Sequence, residues 1–236
     1  MALIIDPRVS ELLGHDQHLP PVSPDRFSRQ ALSARFASPP TWQPDIEVEK
    51  WYRAPDPVHA AVLVPLVMRD RASVLLTQRT AHLKKHAGQI SFPGGRMEPT
   101  DPNPVAAALR EAHEEVGLQA AHVEVIGQLP VYTTGTGFHV TPVVALVHPP
   151  FALQPNPGEV DAVFEVPLAF LMNPANHRRH AFDWQGRQRQ WFSMPYHEPV
   201  AGDGGTVERF IWGATAGMLR NLYRFLLADL PATEPT

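Results

Sequence analysis

The stretch that decides the fold runs Gly95-Arg96-Met97-Glu98-Pro99-Thr100-Asp101 and continues to Ala108-Leu109-Arg110-Glu111-Ala112-His113-Glu114-Glu115-Val116-Gly117-Leu118. Three of its carboxylates, Glu111, Glu114 and Glu115, stand at i, i+3 and i+4, so a helix would project them from one face within a turn. Like charges at this spacing cost a helix roughly 0.2–0.5 kcal/mol per pair. A positive charge is therefore expected beside them, and a hard divalent cation with oxygen ligands is the natural candidate.

The helix itself is signalled at both ends. Asn103 is a good N-cap, Pro104 suits the first helical position, and Gly117 supplies a C-terminal stop. An apolar stripe lies on the side away from the glutamates and consists of Val105, Leu109, Ala112 and Val116. The helix therefore has one face for a core and one charged face, which a solvated acidic surface would also explain.

A glycine-rich segment, Phe92-Pro93-Gly94-Gly95, leads into this region. Paired glycines let the backbone approach a ligand closely, although an ordinary Pro-Gly turn explains Pro93-Gly94 equally well. Turn chemistry does not explain why the loop lies at a fixed distance from an Arg-Glu-x-x-Glu-Glu helix.

Together, loop and helix resemble the Nudix box. The matching residues are Gly95, Arg110, Glu111, Glu114, Glu115, Gly117 and Leu118. Asp101 stands where the pattern has Glu, and eight residues rather than seven separate it from Arg110. Ala112 is a small choice for the apolar position.

The segment before the box is similar to the coenzyme A pyrophosphatase branch of Nudix hydrolases. The similarity rests on Leu75-Leu76-Thr77-Gln78-Arg79-Thr80, Lys84, Gly88 and Phe92-Pro93-Gly94-Gly95. That branch usually has Ser or Ala at Thr80 and Arg at Lys84, and it tends to carry the longer spacing. Three later stretches extend the resemblance over about residues 58 to 228: Thr134-Gly135-Thr136-Gly137-Phe138, Asn156-Pro157-Gly158-Glu159-Val160 and Ile211-Trp212-Gly213-Ala214-Thr215-Ala216.

The resemblance implies an α/β fold in which a mixed β-sheet is sandwiched between helices. It also implies that Glu111, Glu114 and Glu115 bind Mg²⁺ or Mn²⁺ and that Arg110 orients the glutamates. The general base would be Glu114 or Glu159.

The resemblance also implies how substrate is bound. The Gly94-Gly95 backbone would bring an acceptor group within reach of the metal. Arg79 and Lys84, with the neighbouring Lys85 and His86, form a basic cluster suited to extra phosphate charge. A Lys-Lys-His run that is merely solvated is an equal alternative.

The activity implied is hydrolysis of the pyrophosphate bond of coenzyme A or acyl-coenzyme A to 3′,5′-ADP and (acyl-)4′-phosphopantetheine. Two alternatives stay open. One is a Nudix pyrophosphatase for another nucleoside diphosphate derivative, such as ADP-ribose or NADH. The other is a non-catalytic Nudix-like module that senses nucleotides. The expected partner is a small, coenzyme-A-like molecule, and a homodimer is a possible assembly.

Composition sets further bounds on a chain of 236 residues with a net charge of −4. Eight of its 26 prolines fall within residues 20 to 57, which predicts an irregular N-terminal extension over 1–57. Within it, Pro24 to Ala37 could form one helix capped by Ser23. We expect the Nudix domain over 58–230 and a disordered tail over 231–236.

Several functional classes are disfavoured by the sequence. The absence of cysteine excludes disulfides and thiolate chemistry. The longest apolar run, Ala60 to Met68, is too short for a membrane span, and no signal peptide opens the chain. We therefore expect a cytoplasmic protein without membrane association, and the net negative charge gives no reason to expect nucleic-acid binding.

Hydrophobic patterning predicts the remaining elements. A hairpin around Arg69-Asp70-Arg71 would join strands Ala60–Met68 and Ser73–Gln78. Further elements are strands at His122–Val131, Phe138–Val147 and Val163–Phe170, a hairpin around Gln185-Gly186, and a helix from Trp212 to Leu230.

Overall fold

The computed structural model of the chain describes residues 7–45, 57–82, 87–184, 187–200, 202 and 204–229. The helices are α1 (Arg29–Ala37), α2 (Pro104–Val116), α3 (Leu168–Leu171) and α4 (Gly213–Leu227). The strands are β1 (Glu11–His15), β2 (Val58–Val67), β3 (Ser73–Arg79), β4 (Ile90–Ser91), β5 (Gly94–Arg96), β6 (Val123–Gln128), β7 (Tyr132–Thr133), β8 (Phe138–Val147), β9 (Val160–Pro167), β10 (Arg178–Trp184), β11 (Arg187–Pro199) and β12 (Thr206–Trp212).

The larger sheet is mixed and has the strand order β4-β3-β2-β8-β6, while β5 pairs with β2, β7 with β8, and β9 with β3. Strands β2 and β8 are parallel from Val58 opposite Phe138 to Val67 opposite Val147. Both are nearly continuous apolar runs, which is typical of strands that are covered on both faces.

Helices cover the two faces of this sheet. On one face, Ala108, Ala112 and Val116 of α2 pack with buried Leu63 and Val143. On the other, Leu219 and Tyr223 of α4 pack with Leu66, Leu76 and Val144. The prediction of a mixed sheet sandwiched between helices is confirmed.

A smaller antiparallel sheet has the order β1-β10-β11-β12. Trp184 lies opposite Arg187, so β10 and β11 form the hairpin predicted around residues 185–186, which themselves lie outside the described residues. The hairpin around residues 69–71 is confirmed as well, since Val67 pairs with Ser73.

Strand β8 coincides with the predicted Phe138–Val147. The predicted strand His122–Val131 is shorter, ending at Gln128. The prediction of strand to Phe170 is wrong: β9 ends at Pro167 and the chain turns into α3, in which Leu168 and Leu171 are buried. Helix α4 begins one residue after Trp212 and ends at Leu227.

The N-terminal segment is more ordered than predicted. Residues Pro24–Phe27 form a 3-10 turn, and α1 begins only at Arg29. The Ser28 hydroxyl, not Ser23, accepts the cap hydrogen bond from the Ala31 N–H at 3.2 Å. Ser23 instead donates to Asp25.

The same segment is joined to the rest of the molecule, so the expectation of an irregular extension fails for residues 11–37. Strand β1 pairs with β10. Arg26 donates to the Leu226 carbonyl at 2.7 Å and Arg35 to the Phe225 carbonyl at 2.9 Å, at the C-terminal end of α4. Asp16 and Arg220, both buried, form an ion pair of 2.9 Å.

The domain division at residue 57 stays a prediction, and the tail predicted over 231–236 lies outside the described residues. Among the helices that the structure describes, none is both long and apolar enough to cross a bilayer.

Candidate active site

The site is built around the two glycines of β5. Gly94 pairs with Val62 and has φ +155°, and a Cβ there would lie 2.5 Å from the Ala61 carbonyl oxygen. A Cβ on Gly95 would lie 2.5 Å from a carboxylate oxygen of Glu111. Glycine is therefore needed twice, once to bring β5 against β2 and once to leave room for Glu111.

Helix α2 presents the glutamates to this strand. The Asn103 carboxamide oxygen accepts from the Ala106 N–H at 3.0 Å, Pro104 opens the helix, and Gly117 closes it in the left-handed conformation at φ 71°. Both predicted ends are confirmed. The apolar stripe packs on the sheet, so the acidic face is turned toward β5 and its surroundings.

Arg110 supplies part of the positive charge that the acidic face requires. Its guanidinium contacts Glu111 at 3.1 Å and Glu114 at 2.9 Å. It also binds both carboxylate oxygens of Asp101, at 3.1 and 2.8 Å. These hydrogen bonds from Arg110 lower the pKa of Asp101. Asp101 thus fixes Arg110 between the glutamates despite the extra residue in the spacing.

Glu115 is the most buried of the trio, with 3% of the residue exposed. One of its oxygens accepts from the Gly94 N–H at 3.1 Å, and the other lies 3.4 Å from Nη1 of Arg79. Burial raises the pKa of Glu115 from 4.5 to about 7, although the Gly94 hydrogen bond and the charge of Arg79 act in the opposite direction. The carboxylate is therefore held in a place that disfavours its charge.

Glu111 and Glu159 belong to the same electrostatic group. Burial raises the pKa of Glu111, Arg110 opposes the shift, and the charges of Glu114 and Glu159 add to it. The Glu159 charge acts in the same direction on Glu115. Four carboxylates from two segments, Glu111, Glu114 and Glu115 of α2 and Glu159, thus form one repulsive group.

Backbone hydrogen bonds hold the Glu159 loop in position. The Asn156 N–H donates to the Glu115 carbonyl at 2.8 Å, and the Glu159 N–H donates to the Asn156 carbonyl at 3.0 Å. The Glu159 carbonyl in turn accepts from the Thr80 N–H at 3.0 Å. The loop is tied to the C-terminal end of α2 and to the end of β3, next to Arg79.

The donor set suits a hard divalent cation in its chemistry. All the candidate ligands are carboxylate oxygens, and a cation would offset the burial and the smaller charge repulsion that raise the pKa of Glu111 and of Glu115. The arrangement is not that of a formed metal site: across the described ranges, no three acidic or histidine side chains are grouped closely enough to hold an ion. Arginines occupy the carboxylates instead, and the Glu114 side chain is 55% exposed.

Most of the residues predicted for the site are brought together here: Arg79, Gly94, Gly95, Arg110, Glu111, Glu114, Glu115 and Glu159. Lys84, like Lys85 and His86, lies outside the described residues. Sequence reasoning overlooked two contributions. Asp101 was treated only as a departure from the pattern, although an acid at that position is the signal for an arginine partner. Asn156 belongs to a stretch of resemblance, but its bonds to Glu115 and Glu159 are made by backbone groups, which a side-chain pattern does not reveal.

Comparison with known proteins agrees with this geometry. Residues 57–202 match the NUDIX domain, so the chain belongs to the Nudix family. Proteins named uncharacterized Nudix hydrolase NudL, from Enterobacter sp. (strain 638) and Escherichia coli (strain K12), are 45% identical over 166 residues, covering 69% of this chain and 80% of each relative. The chain is a Nudix hydrolase.

Among solved structures, the Nudix hydrolase RenU from M. smegmatis is 26% identical, with a TM-score of 0.41 over 54% of this chain and 80% of that one. The family membership gives the reaction class: pyrophosphate hydrolysis of a nucleoside diphosphate derivative, a small nucleotide-derived molecule. Nudix hydrolases generally use divalent metal ions for this reaction.

Proposed function

We propose that this enzyme hydrolyses the pyrophosphate bond of coenzyme A or acyl-coenzyme A, releasing 3′,5′-ADP and (acyl-)4′-phosphopantetheine. One observation carries the proposal. The segments that resemble the coenzyme A branch contact the glutamate site: Leu75–Thr80 include Arg79, which contacts Glu115, and Asn156–Val160 are hydrogen-bonded to Glu115 and Thr80.

Glu111, Glu114 and Glu115 would hold Mg²⁺ or Mn²⁺. Arg110, which is hydrogen-bonded to Asp101, would orient Glu111 and Glu114. When bound, such ions neutralise pyrophosphate charge and lower the pKa of water. Gly94 lets β5 lie against β2, and Gly95 leaves room for the Glu111 carboxylate, so the backbone of these two residues would bring an acceptor group within reach of the metal.

In the reaction, a water oxygen forms a bond to one phosphorus while the bond from that phosphorus to the bridging oxygen breaks. Each product leaves with a phosphate group, and the water proton passes to a base. Glu159 is the stronger candidate for this base, since Glu114 already accepts from Arg110 at 2.9 Å. The protein contributes positioning and electrostatics rather than a covalent intermediate.

Substrate contacts are proposed for Arg79 and Lys84. Arg79 lies beside Glu115, where it can meet a phosphate oxygen, and Lys84 would add charge toward the 3′-phosphate of coenzyme A. A cytoplasmic location and a homodimer stay predictions from the sequence.

A product assay tests the substrate. Coenzyme A, ADP-ribose, NADH and a dinucleoside polyphosphate are each incubated with enzyme and Mg²⁺ or Mn²⁺, and products are separated by chromatography. We expect 3′,5′-ADP from coenzyme A at the highest kcat/KM, and none with Glu115→Gln. A preference for ADP-ribose or NADH would overturn the substrate assignment and keep the class. Tight nucleotide binding without any turnover would instead favour a sensing module.

A further inference from the structure

The two arginines beside the acidic face are held very differently. Arg110 is locked by Asp101, Glu111 and Glu114, and it also donates to the Arg96 carbonyl at 3.3 Å. Arg79 has one acidic partner in the described part of the chain, Glu115, at 3.4 Å. The Arg110 guanidinium is therefore fixed in position, whereas the Arg79 guanidinium makes a long contact that another group can replace.

Arg79 thus contacts the carboxylate that a cation would use. Glu115 has one oxygen committed to the Gly94 N–H, so the oxygen facing Arg79 is the one open to a new partner. A guanidinium and a dication cannot occupy the same carboxylate oxygen, because they repel each other at that distance. A cation arriving at Glu115 must displace Arg79.

The displaced side chain has a natural second partner. A pyrophosphate bound beside the cation brings anionic oxygens to the same place, and guanidinium groups pair with phosphate in a fork geometry. Arg79 is anchored through its backbone at the end of β3, where its N–H donates to the Gln89 carbonyl at 2.9 Å. Its side chain can therefore change partner while the strand stays in place.

We propose that Arg79 is a displaceable counter-ion: it neutralises Glu115 when no cation is bound and turns to the substrate phosphate when one is. This inference rests on the proposed metal-dependent function and adds a coupling between cation and substrate. Arg79 would oppose the cation when it binds alone and favour the substrate once the cation is in place.

The test measures cation binding and substrate use separately in Arg79→Gln and Arg79→Lys. Mn²⁺ affinity without substrate is measured from the free-ion resonance signal at pH 8.0, and KM for coenzyme A is measured at saturating Mn²⁺. We expect Arg79→Gln to bind Mn²⁺ about threefold to tenfold more tightly, because a competing charge is gone. We expect its KM to rise about tenfold or more. Arg79→Lys should give intermediate values for both.

Arg69→Gln is the matched control, since Arg69 pairs with Glu165 at 2.8 Å away from the acidic face. It should leave both quantities unchanged. If Arg79→Gln binds Mn²⁺ no more tightly than wild type while its KM is raised, Arg79 is a phosphate ligand only. That result would overturn the proposed change of partner from Glu115 to phosphate. If the wild-type protein itself binds no Mn²⁺, the proposed metal-dependent function is wrong, and the proposed change of partner by Arg79 is wrong with it.

Discussion

Replacing Glu115 by Gln should stabilise the protein at alkaline pH while abolishing catalysis. Burial raises the pKa of this carboxyl from 4.5 to about 7. Each tenfold change in proton affinity is worth about 1.4 kcal/mol, so ionised Glu115 costs the folded state on the order of 3 kcal/mol relative to the unfolded chain. Gln has nearly the same shape and carries no charge.

The sign of the effect follows from which state binds the proton more tightly. Between pH 4.5 and 7 the folded protein keeps its proton on Glu115 and the unfolded chain has lost it. The tighter proton binding by folded Glu115 stabilises the wild type at low pH. This part of the free energy of unfolding falls as pH rises from 4.5 to 7, and it is lost completely above about pH 7. The variant should match wild type near pH 4.5 and exceed it by about 3 kcal/mol at pH 8.

Urea denaturation in metal-free buffer, at pH 4.5 and pH 8, measures the difference in the free energy of unfolding. Buried His177, whose pKa burial lowers to about 4, changes stability in the opposite direction over a similar range. Its contribution is common to both proteins and cancels in the difference. Glu114→Gln is the control, since that side chain is half-exposed, and its stability should stay within about 0.5 kcal/mol of wild type.

Two results would refute the reasoning. A Glu115→Gln variant no more stable than wild type at pH 8 would mean that ionised Glu115 carries no penalty. An equal gain at both pH values would mean that the effect comes from packing rather than charge. Loss of turnover together with the predicted gain would show that this carboxylate is kept for function at the expense of stability.

Two further substitutions probe the frame of the site. Gly95→Ala should lower Mn²⁺ affinity about tenfold with little loss of stability, because the new methyl displaces only the flexible end of Glu111. Mn²⁺ affinity is measured from the same resonance signal. An unchanged affinity would mean that Glu111 does not bind the cation. Asp101→Asn should reduce kcat about tenfold to a hundredfold by loosening Arg110, and Asp101→Glu should retain more activity because it restores the charge. Steady-state kinetics measure kcat for wild type and for the two Asp101 variants. Equal kcat in all three proteins would mean that Arg110 needs no carboxylate at position 101.

Features set by local chemistry could be predicted from the sequence. Helix α2 begins after Asn103 and ends at Gly117 because capping depends on a few neighbouring atoms. Strand β8 is predictable at its full length because its apolar run is long. The trio of glutamates and the glycines before it lie within one short segment, so their proximity was also predictable.

Features that depend on distant partners could not be predicted. The apolar run after Val160 continues through Pro167 into α3, and hydrophobicity alone cannot separate a buried strand from a buried helix. The pairing of Arg79 with Glu115 joins residues 36 apart in the chain, and only the folded sheet and helix bring them together. Proline content predicts an irregular segment where Arg26 and Arg35 have partners about 190 to 200 residues away.

Those last contacts have a consequence for biosynthesis. The carbonyl groups that accept hydrogen bonds from Arg26 and Arg35 belong to the final turn of α4, so they leave the ribosome about 190 to 200 residues after the two arginines. The segment that carries the two arginines therefore lacks its hydrogen-bond partners in α4 until that helix has been synthesised. A ribosome stalled before residue 225 would therefore display an N-terminal region that proteases can still reach.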